Sequence, residues 1–510
     1  MADSNSTPSP QLTGIARIRQ MVSNPISIIG LALAVVAFGN ILFLFFIDLT
    51  SAHSSPYIGI LAYMVAPAIL GFGLLLAVFG AVYYRRKRLE STGAAPYVRL
   101  DFSDPSQRGA VAFFLAFIIV FVGMSVVGSY KAYNFTDSVG FCGQLCHSVM
   151  NPEFTAYQQS PHARVACVDC HVGAGATWYV KSKLSGARQV FKTALNTFPR
   201  PIPTPVHNLR PAAETCETCH WPKKFYGAQL KVFNHFSSDE KNTPRQIRLL
   251  IKTGGGDPST GEPEGIHWHM NIANEMTYLA TDEQRQTIAY VRAKDLQGRV
   301  TEYFAKDSPL TKDQIAKAEK RRMDCIDCHN RPTHIYTPPD TSVDRSFAAH
   351  RLDINLPFLK QQSIAALTGQ YATTDAAMQG IAKTIESFYE TKYPDVSKSK
   401  QPEIRSAIEE LQRIYKLTFF PEMKLDWKTH PNNIGHFYFP GCFRCHDGNH
   451  VSPEGKVIPK GCDTCHTVLG QQENDVNITS TPGLTFKHPV DLGDMTAVNC
   501  ADCHTGGVSP

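Results

Sequence analysis

The chain has 510 residues, of which 43% are hydrophobic and 19% charged, with a formal net charge of +5 and 14 cysteines. That length allows a few domains, and so small a net charge excludes the dense basic surface of a nucleic-acid binder. No Gly-rich phosphate loop is present, which argues against a nucleotide site and a flavin- or NAD-linked reaction.

In chain order, three long apolar stretches come first. Pro25 to Ile47, Tyr57 to Tyr84 and Gly109 to Tyr130 carry no charge, and each exceeds the roughly 20 residues that cross a bilayer as a helix. Tyr83, Tyr84, Tyr130 and Tyr133 fall where interfacial aromatics lie. Arg17 and Arg19 precede the first stretch, and Arg85, Arg86, Lys87, Arg88, Arg99 and Arg108 lie between the second and third, whereas 48–56 holds no Lys or Arg. The positive-inside rule then puts the amino terminus in the cytoplasm, and three crossings deliver everything after about Ala132 to the outer, periplasm-type face. No small-residue cleavage site follows the first stretch, so it reads as a retained anchor.

All 14 cysteines fall in pairs followed at once by histidine: Cys142/Cys146/His147, Cys167/Cys170/His171, Cys216/Cys219/His220, Cys325/Cys328/His329, Cys442/Cys445/His446, Cys462/Cys465/His466 and Cys500/Cys503/His504. Two thiols one helical turn apart can add to the two vinyl groups of a haem, and the adjacent imidazole can ligate its iron. Structural zinc would not require a histidine after every pair, and a thioredoxin-like motif would occur once beside a βαβ pattern. The motifs imply seven c-type haems, or six if the first, with three residues between its cysteines, is unoccupied.

Four motifs lie within 142–329 and three within 442–504. The expected domains are 1–108, an amino terminus and transmembrane hairpin with a basic cytoplasmic loop; 109–340, a transmembrane anchor and tetrahaem domain; and 341–510, a helical linker and trihaem domain. Apolar spacing predicts helices over Thr281 to Ala293, Thr311 to Arg322, Asp375 to Tyr389 and Pro402 to Tyr415, the last with proline in its first turn. Phe198 to Pro211 and Gly254 to Gly265 read as Pro/Gly-rich loops. The fold class expected is mainly α: three transmembrane helices and an α-rich, loop-heavy multihaem domain with little strand.

Six-coordinate haems need a second axial ligand. The candidates are His162, His207, His235, His267, His269, His334, His436, His450 and His488, with Met150 for the first motif. Proximity to motifs favours His162, His235, His436, His450 and His488. His350 and His430 complete the histidines of the exported part.

The run FCGQLCHSVMNPE (Phe141 to Glu153), the segment SPHARVACVDCH (Ser160 to His171) and Cys216-Glu-Thr-Cys219-His220, behind a transmembrane helix, resemble the NapC/NirT/NrfH family of membrane tetrahaem quinol dehydrogenases. The resemblance covers roughly 109–340. It implies menaquinol as substrate and electron donor from the membrane pool, a first haem beside the membrane, and periplasmic c-type cytochromes as acceptors. A homo-oligomer or a complex with a reductase is the further partner expectation. The stretch Lys181 to Gln189 corresponds to the part of the family that supplies a lysine and a carboxylate near the quinol, with Gln189 standing where the acid would be. The family's first motif has two residues between its cysteines and Met two positions after the histidine; here the gap is three and Met150 stands at plus three. A base within hydrogen-bond reach of the quinol hydroxyl is needed, and Lys183, Glu153, Asp137 and His53 are the candidates, Lys183 first. Two other classes stay open: a terminal reductase with an open haem, and an anchor subunit for a separate reductase.

Overall fold

The computed structural model describes residues 22–50, 65–92, 103, 105–172, 175–206, 209–221, 225–255, 265–270, 274–295, 297–473, 476–490, 493 and 498–506. Two compact units make up the chain, Met1–His147 and Ser148–Pro510.

In the first unit, α1 (Pro25–Thr50) and α2 (Ala66–Thr92) are long and apolar enough to cross a membrane. Small residues let them pack backbone to backbone. A Cβ on Gly30 would come 2.5 Å from the Ala77 nitrogen, and one on Gly73 2.8 Å from the Gly30 oxygen. Ala34, Ala37 and Leu70 are buried in this contact, and Ser27 Oγ donates to the Ala77 carbonyl at 2.8 Å. Between lipid-facing helices there is no hydrophobic driving force, so close packing and such hydrogen bonds hold the pair. The expected start of the second span, 57–64, lies outside the described residues. A third helix, α3 (Pro105–Thr136), covers the third apolar stretch; at 1.5 Å per residue it is about 48 Å long.

In the second unit, α4 (His147–Gln158) and the amphipathic α5 (Ala176–Ala194) precede two antiparallel sheets. Among the described residues nine strands form them: β1 (Gln229–Phe236), β2 (Pro244–Ile251), β3 (Glu275–Ala280), β4 (Ile288–Lys294), β5 (Val300–Ala305), β6 (Arg321–Arg322), β7 (His450–Val451), β8 (His466–Glu473) and β9 (Val476–Leu484). Their orders are β1-β2-β8-β9 and β6-β3-β4-β5-β7. The expectation of little strand is therefore corrected. Thr281 to Ala293 is a turn followed by β4, because Ile288, Ala289, Tyr290 and Val291 are all buried, a two-sided burial that a central strand satisfies and an amphipathic helix does not. Of Thr311 to Arg322 only Lys312–Lys317 is helical. Thr311 and Gln314 cap its start, and Arg321 and Arg322 leave it to pair with Tyr278 and Thr277.

The largest apolar core is a helical bundle of α6 (Pro339–Ala348), α7 (Leu359–Leu367), α8 (Thr374–Lys392) and α9 (Gln401–Thr418). Here helical spacing reads true. Ile381, Ile385 and Tyr389 stack at i, i+4 and i+8, fully buried against Leu359, Leu367 and Leu411, and Pro402 sits in the first turn of α9. Two carboxylates are buried in this bundle, Asp344, paired with Lys360, and Glu410. Glu410 accepts hydrogen bonds from Ser346 Oγ at 2.6 Å, Arg351 Nε at 2.7 Å and Arg413 Nε at 2.6 Å.

Burial works against the charged form of Glu410, and the hydrogen bonds from Arg413, Ser346 and Arg351 outweigh it, holding the carboxyl down at about 2. A folded pKa below the unfolded one gives stability that is complete above the ordinary carboxylate range and is lost as pH falls toward about 2. Glu410→Gln is expected to lower the bundle's thermal midpoint at neutral pH and to flatten its acid dependence over that window. Circular-dichroism melts of the detergent-solubilised chain against pH check both; an unchanged acid slope would remove Glu410 from the account.

Candidate functional site

The motif cysteines lie on single helical turns. Cys167–His171, Cys325–Cys328 and Cys500–Cys503 are one-turn α-helices, and Gly441–Arg444 and Cys462–Thr464 are 3₁₀ turns. In the three Cys-x-Asp-Cys-His motifs the aspartate caps its own turn. Asp169, Asp327 and Asp502 accept from the backbone N–H of Ala166, Asp324 and Asn499 at 3.2, 2.7 and 3.2 Å, the return half of a capping box. Sequence reasoning passed over this signal, although the spacing displays it. Gly441, before Cys442, has φ +51 and would bring a Cβ within 1.8 Å of the Gly435 oxygen, so glycine alone fits there.

The first motif departs in a way that suits its longer gap. Gly140–Leu145 is a π turn, roughly one residue wider than an α turn. Four positions apart on such a turn, Cys142 and Cys146 occupy one face much as cysteines three apart do elsewhere. Phe141 packs edge-on to Phe135 at 5.5 Å, and its N–H donates to Ser138 Oγ at 3.1 Å.

Six motif histidines each face one further histidine. The ring-centroid separations are His171–His334 6.3 Å, His220–His162 6.0 Å, His329–His267 6.2 Å, His446–His269 5.9 Å, His466–His436 6.1 Å and His504–His488 6.1 Å. Two imidazoles on opposite sides of one metal, each nitrogen about 2 Å from it and each ring centre about 1.1 Å behind, stand about 6.2 Å apart. The spacing thus fits a bis-histidine iron in all six cases. No group of three or more His, Cys, Asp or Glu that could hold a metal ion occurs among the described residues.

Backbone carbonyls orient many of these rings through Nδ1. Thr253 O lies 2.7 Å from His267, Ile266 O 3.0 Å from His269, Glu153 O 3.0 Å from His334, Pro459 O 2.7 Å from His446 and Val490 O 2.9 Å from His488. Engaging Nδ1 leaves Nε2 as the metal-facing nitrogen. Burial lowers the pKa of His269 and His436, and burial together with the neighbouring Arg331 and His171 pushes His334 down to about 4, so these rings stay neutral, as ligation requires.

The remaining candidates go elsewhere. His450 is fully buried, with Nδ1 on Asp447 and Nε2 3.0 Å from the Ile288 carbonyl, so both nitrogens are engaged within the protein. His235 meets Asp344, itself paired with the buried Lys360, and faces Phe437 at 6.1 Å. Both stand near motifs in sequence; His235 also lies within electrostatic reach of the motif histidine His504, with Phe437 against both rings. His430 contacts Thr204 Oγ1 at 3.0 Å, and His350 is exposed. His207, His53 and the side chain of His147 lie outside the described residues; Met150 is on α4.

Of the quinol-site candidates, Lys183 and Gln189 share α5, with Gln189 exposed and bonded to Ser185 at 3.3 Å. Asp137 follows α3. Glu153 is drawn into the protein: its Oε1 accepts from the Tyr336 hydroxyl at 3.2 Å, its Oε2 is buried without a hydrogen-bond partner, and burial raises its pKa. Its clearest geometric role is through its carbonyl, which orients His334.

From the second motif onward, consecutive motifs are neighbours in space. Cys170 lies within electrostatic reach of Cys216 and Cys219, Cys216 lies against Cys325, Cys328 near Cys442, Cys465 near Cys442, and Cys500 near Cys462. The join between the four-motif and three-motif segments is braced twice. The single turn Ile266–Met270 supplies both His267 to His329 and His269 to His446. Beside it, Arg444 donates to the Asp327 carbonyl at 2.7 Å, and the Asp327 carboxylate accepts from Tyr278, Arg285 and Arg321 at 2.8 to 2.9 Å.

Residues 105–202 match the model of the NapC/NirT cytochrome c family, N-terminal region. The chain is 46% identical over 484 residues to the cytochrome c-type protein ImcH of Geobacter sulfurreducens, covering 94% of this chain and 95% of that one. It is 29% identical over 125 residues to the cytochrome c-type protein NrfH of Wolinella succinogenes, covering 24% of this chain and 70% of NrfH. No solved structure matches.

His267→Met is expected to raise the midpoint potential of one haem, as thioether ligation does, leaving haem content intact, whereas His450→Gln should leave every potential in place. Spectroelectrochemical titration separates the two, and an equal response to both would break the pairing. Asp327→Asn strips two guanidiniums of a buried anion and is expected to cost about 3 kcal/mol, read as a lower thermal midpoint.

Proposed function

Because this chain belongs to the NapC/NirT family of multihaem c-type cytochromes, with covalently bound haem and electron transfer as its business, we propose that it oxidises menaquinol at the inner membrane. Electrons then pass outward through seven c-type haems to periplasmic cytochromes, in anaerobic respiration or extracellular electron transfer. The observation that carries the reading is the unbroken succession of histidine pairs from His171–His334 to His504–His488, whose motifs adjoin in chain order. An iron between each pair supplies one-electron chemistry. Histidine pairs of this kind would hold an iron from both sides, which would suit relay over substrate binding and disfavours a terminal reductase.

The protein's own residues do the rest. Carbonyls of Thr253, Ile266, Glu153 and Val490 hold the facing rings in one tautomer, and the Asp169, Asp327 and Asp502 caps hold the attachment turns. The π turn at Gly140–Leu145 supports occupancy of the first motif, hence seven haems and not six; Met150 is its proposed second ligand. We read α3 as a third crossing and the positive charges at 85–108 as cytoplasmic, with the second unit in the periplasm. Each quinol releases two electrons and two protons. Lys183 is the proposed proton acceptor, a base in reach of the quinol hydroxyl being the minimum, and Asp137 and His53 are its alternates. An attachment role for a separate reductase remains compatible with the same relay.

Mixing the purified protein anaerobically with a menaquinol analogue should give rapid optical reduction approaching seven electrons per chain. Lys183→Ala should slow that reduction by about 10²-fold while dithionite reduction is unchanged. A wild-type protein that dithionite reduces and quinol does not would overturn the quinol reading.

A further inference from the structure

Helix α5 carries a face that the folded chain leaves exposed. Val180, Leu184, Phe191 and Leu195 are 54%, 70%, 66% and 57% exposed and, with Ala187, recur at i, i+4, i+7, i+11 and i+15. That is one continuous apolar stripe along a helix. Its borders are cationic: Lys181, Arg188 and Lys192 fall on one side and Lys183 on the other, and Ala176–Ala194 contains no acidic residue. The opposite face is polar and internally satisfied, with Gln189 bonded to Ser185 and Thr193 Oγ1 donating to the Gln189 carbonyl at 2.8 Å. Nineteen residues of such a pattern exceed what a chance exposed leucine explains.

We propose that α5 lies in the outer leaflet of an anionic bilayer, its apolar stripe in the headgroup–acyl boundary and its cations on lipid phosphates. The charge pattern selects this occupant. A stripe bordered only by cations complements anionic headgroups, and long basic side chains can lay their stems on the apolar surface while their charges reach the lipid. The same chain holds two apolar helices long enough to cross a membrane, so the helix is tethered where a leaflet is available. The inference rests on the membrane-anchored reading above and adds a second, peripheral attachment that would bring Lys183 to quinol depth.

The test uses the haem-loaded full chain in nanodiscs of phosphatidylcholine, with or without phosphatidylglycerol, containing a lipid with a diazirine near its carbonyl. After photolysis and peptide mapping, α5 peptides should carry lipid label, more strongly in the anionic discs. Leu184→Glu with Phe191→Glu should abolish that label while haem content and dithionite reduction persist. Lys181→Gln with Arg188→Gln and Lys192→Gln should abolish only the anionic enhancement. Labelled α1 and α2 with unlabelled α5, a label that survives the glutamate pair, or cross-links joining α5 to a second copy would each overturn the proposal. Unlabelled α1 and α2 would instead bring down the membrane anchoring on which it rests.

Discussion

Everything in the second unit is subordinate to one spacing, about 6 Å between facing imidazole rings, repeated six times. That separation is too long for a hydrogen bond and matches what two imidazoles would show if they held one metal between them. A fold that must hold six such pairs cannot organise itself around a single apolar centre. It distributes its backbone as a set of braces: one-turn helices that carry the thiols and the first imidazole, and loops whose carbonyls fix the second.

The haem-free helical bundle stands apart from that logic. Its core of Ile381, Ile385, Tyr389, Leu359 and Leu411 is packed by ordinary apolar burial and needs no cofactor. Placed between the four-motif and three-motif segments, it is the part of the second unit that the chain can build from hydrophobic contacts alone. The sheets then tie the outer segments together: β2 pairs with β8 and β5 with β7, so strands from 244–305 and from 450–473 share hydrogen-bonded ladders. The four-motif and three-motif segments are successive in sequence and interwoven in space.

The Ile266–Met270 turn shows how little structure such a junction requires. Two histidines separated by one tryptophan serve two different motifs, His329 on one side and His446 on the other. The buried Asp327 carboxylate beside it gathers Tyr278, Arg285 and Arg321 around the attachment turn, with Arg444 of the next motif on its carbonyl. A charge buried at this cost earns its place by fixing geometry, and the geometry here is the distance between neighbouring redox centres.

Sequence by itself determined the covalent chemistry, because thioether attachment demands two thiols and an imidazole at fixed short spacing, and short spacing is written in the chain. It also determined the apolar helices and the bundle helices, whose periodicity is local. It misjudged Thr281 to Ala293, where continuous burial from both sides of a sheet outweighed apparent helical spacing. Only the tertiary structure decided the facing histidines. His334 reaches back to His171 and His267 forward to His329, across 163 and 62 positions, and no local rule connects residues so far apart, because a pairing made in space is indifferent to distance along the chain.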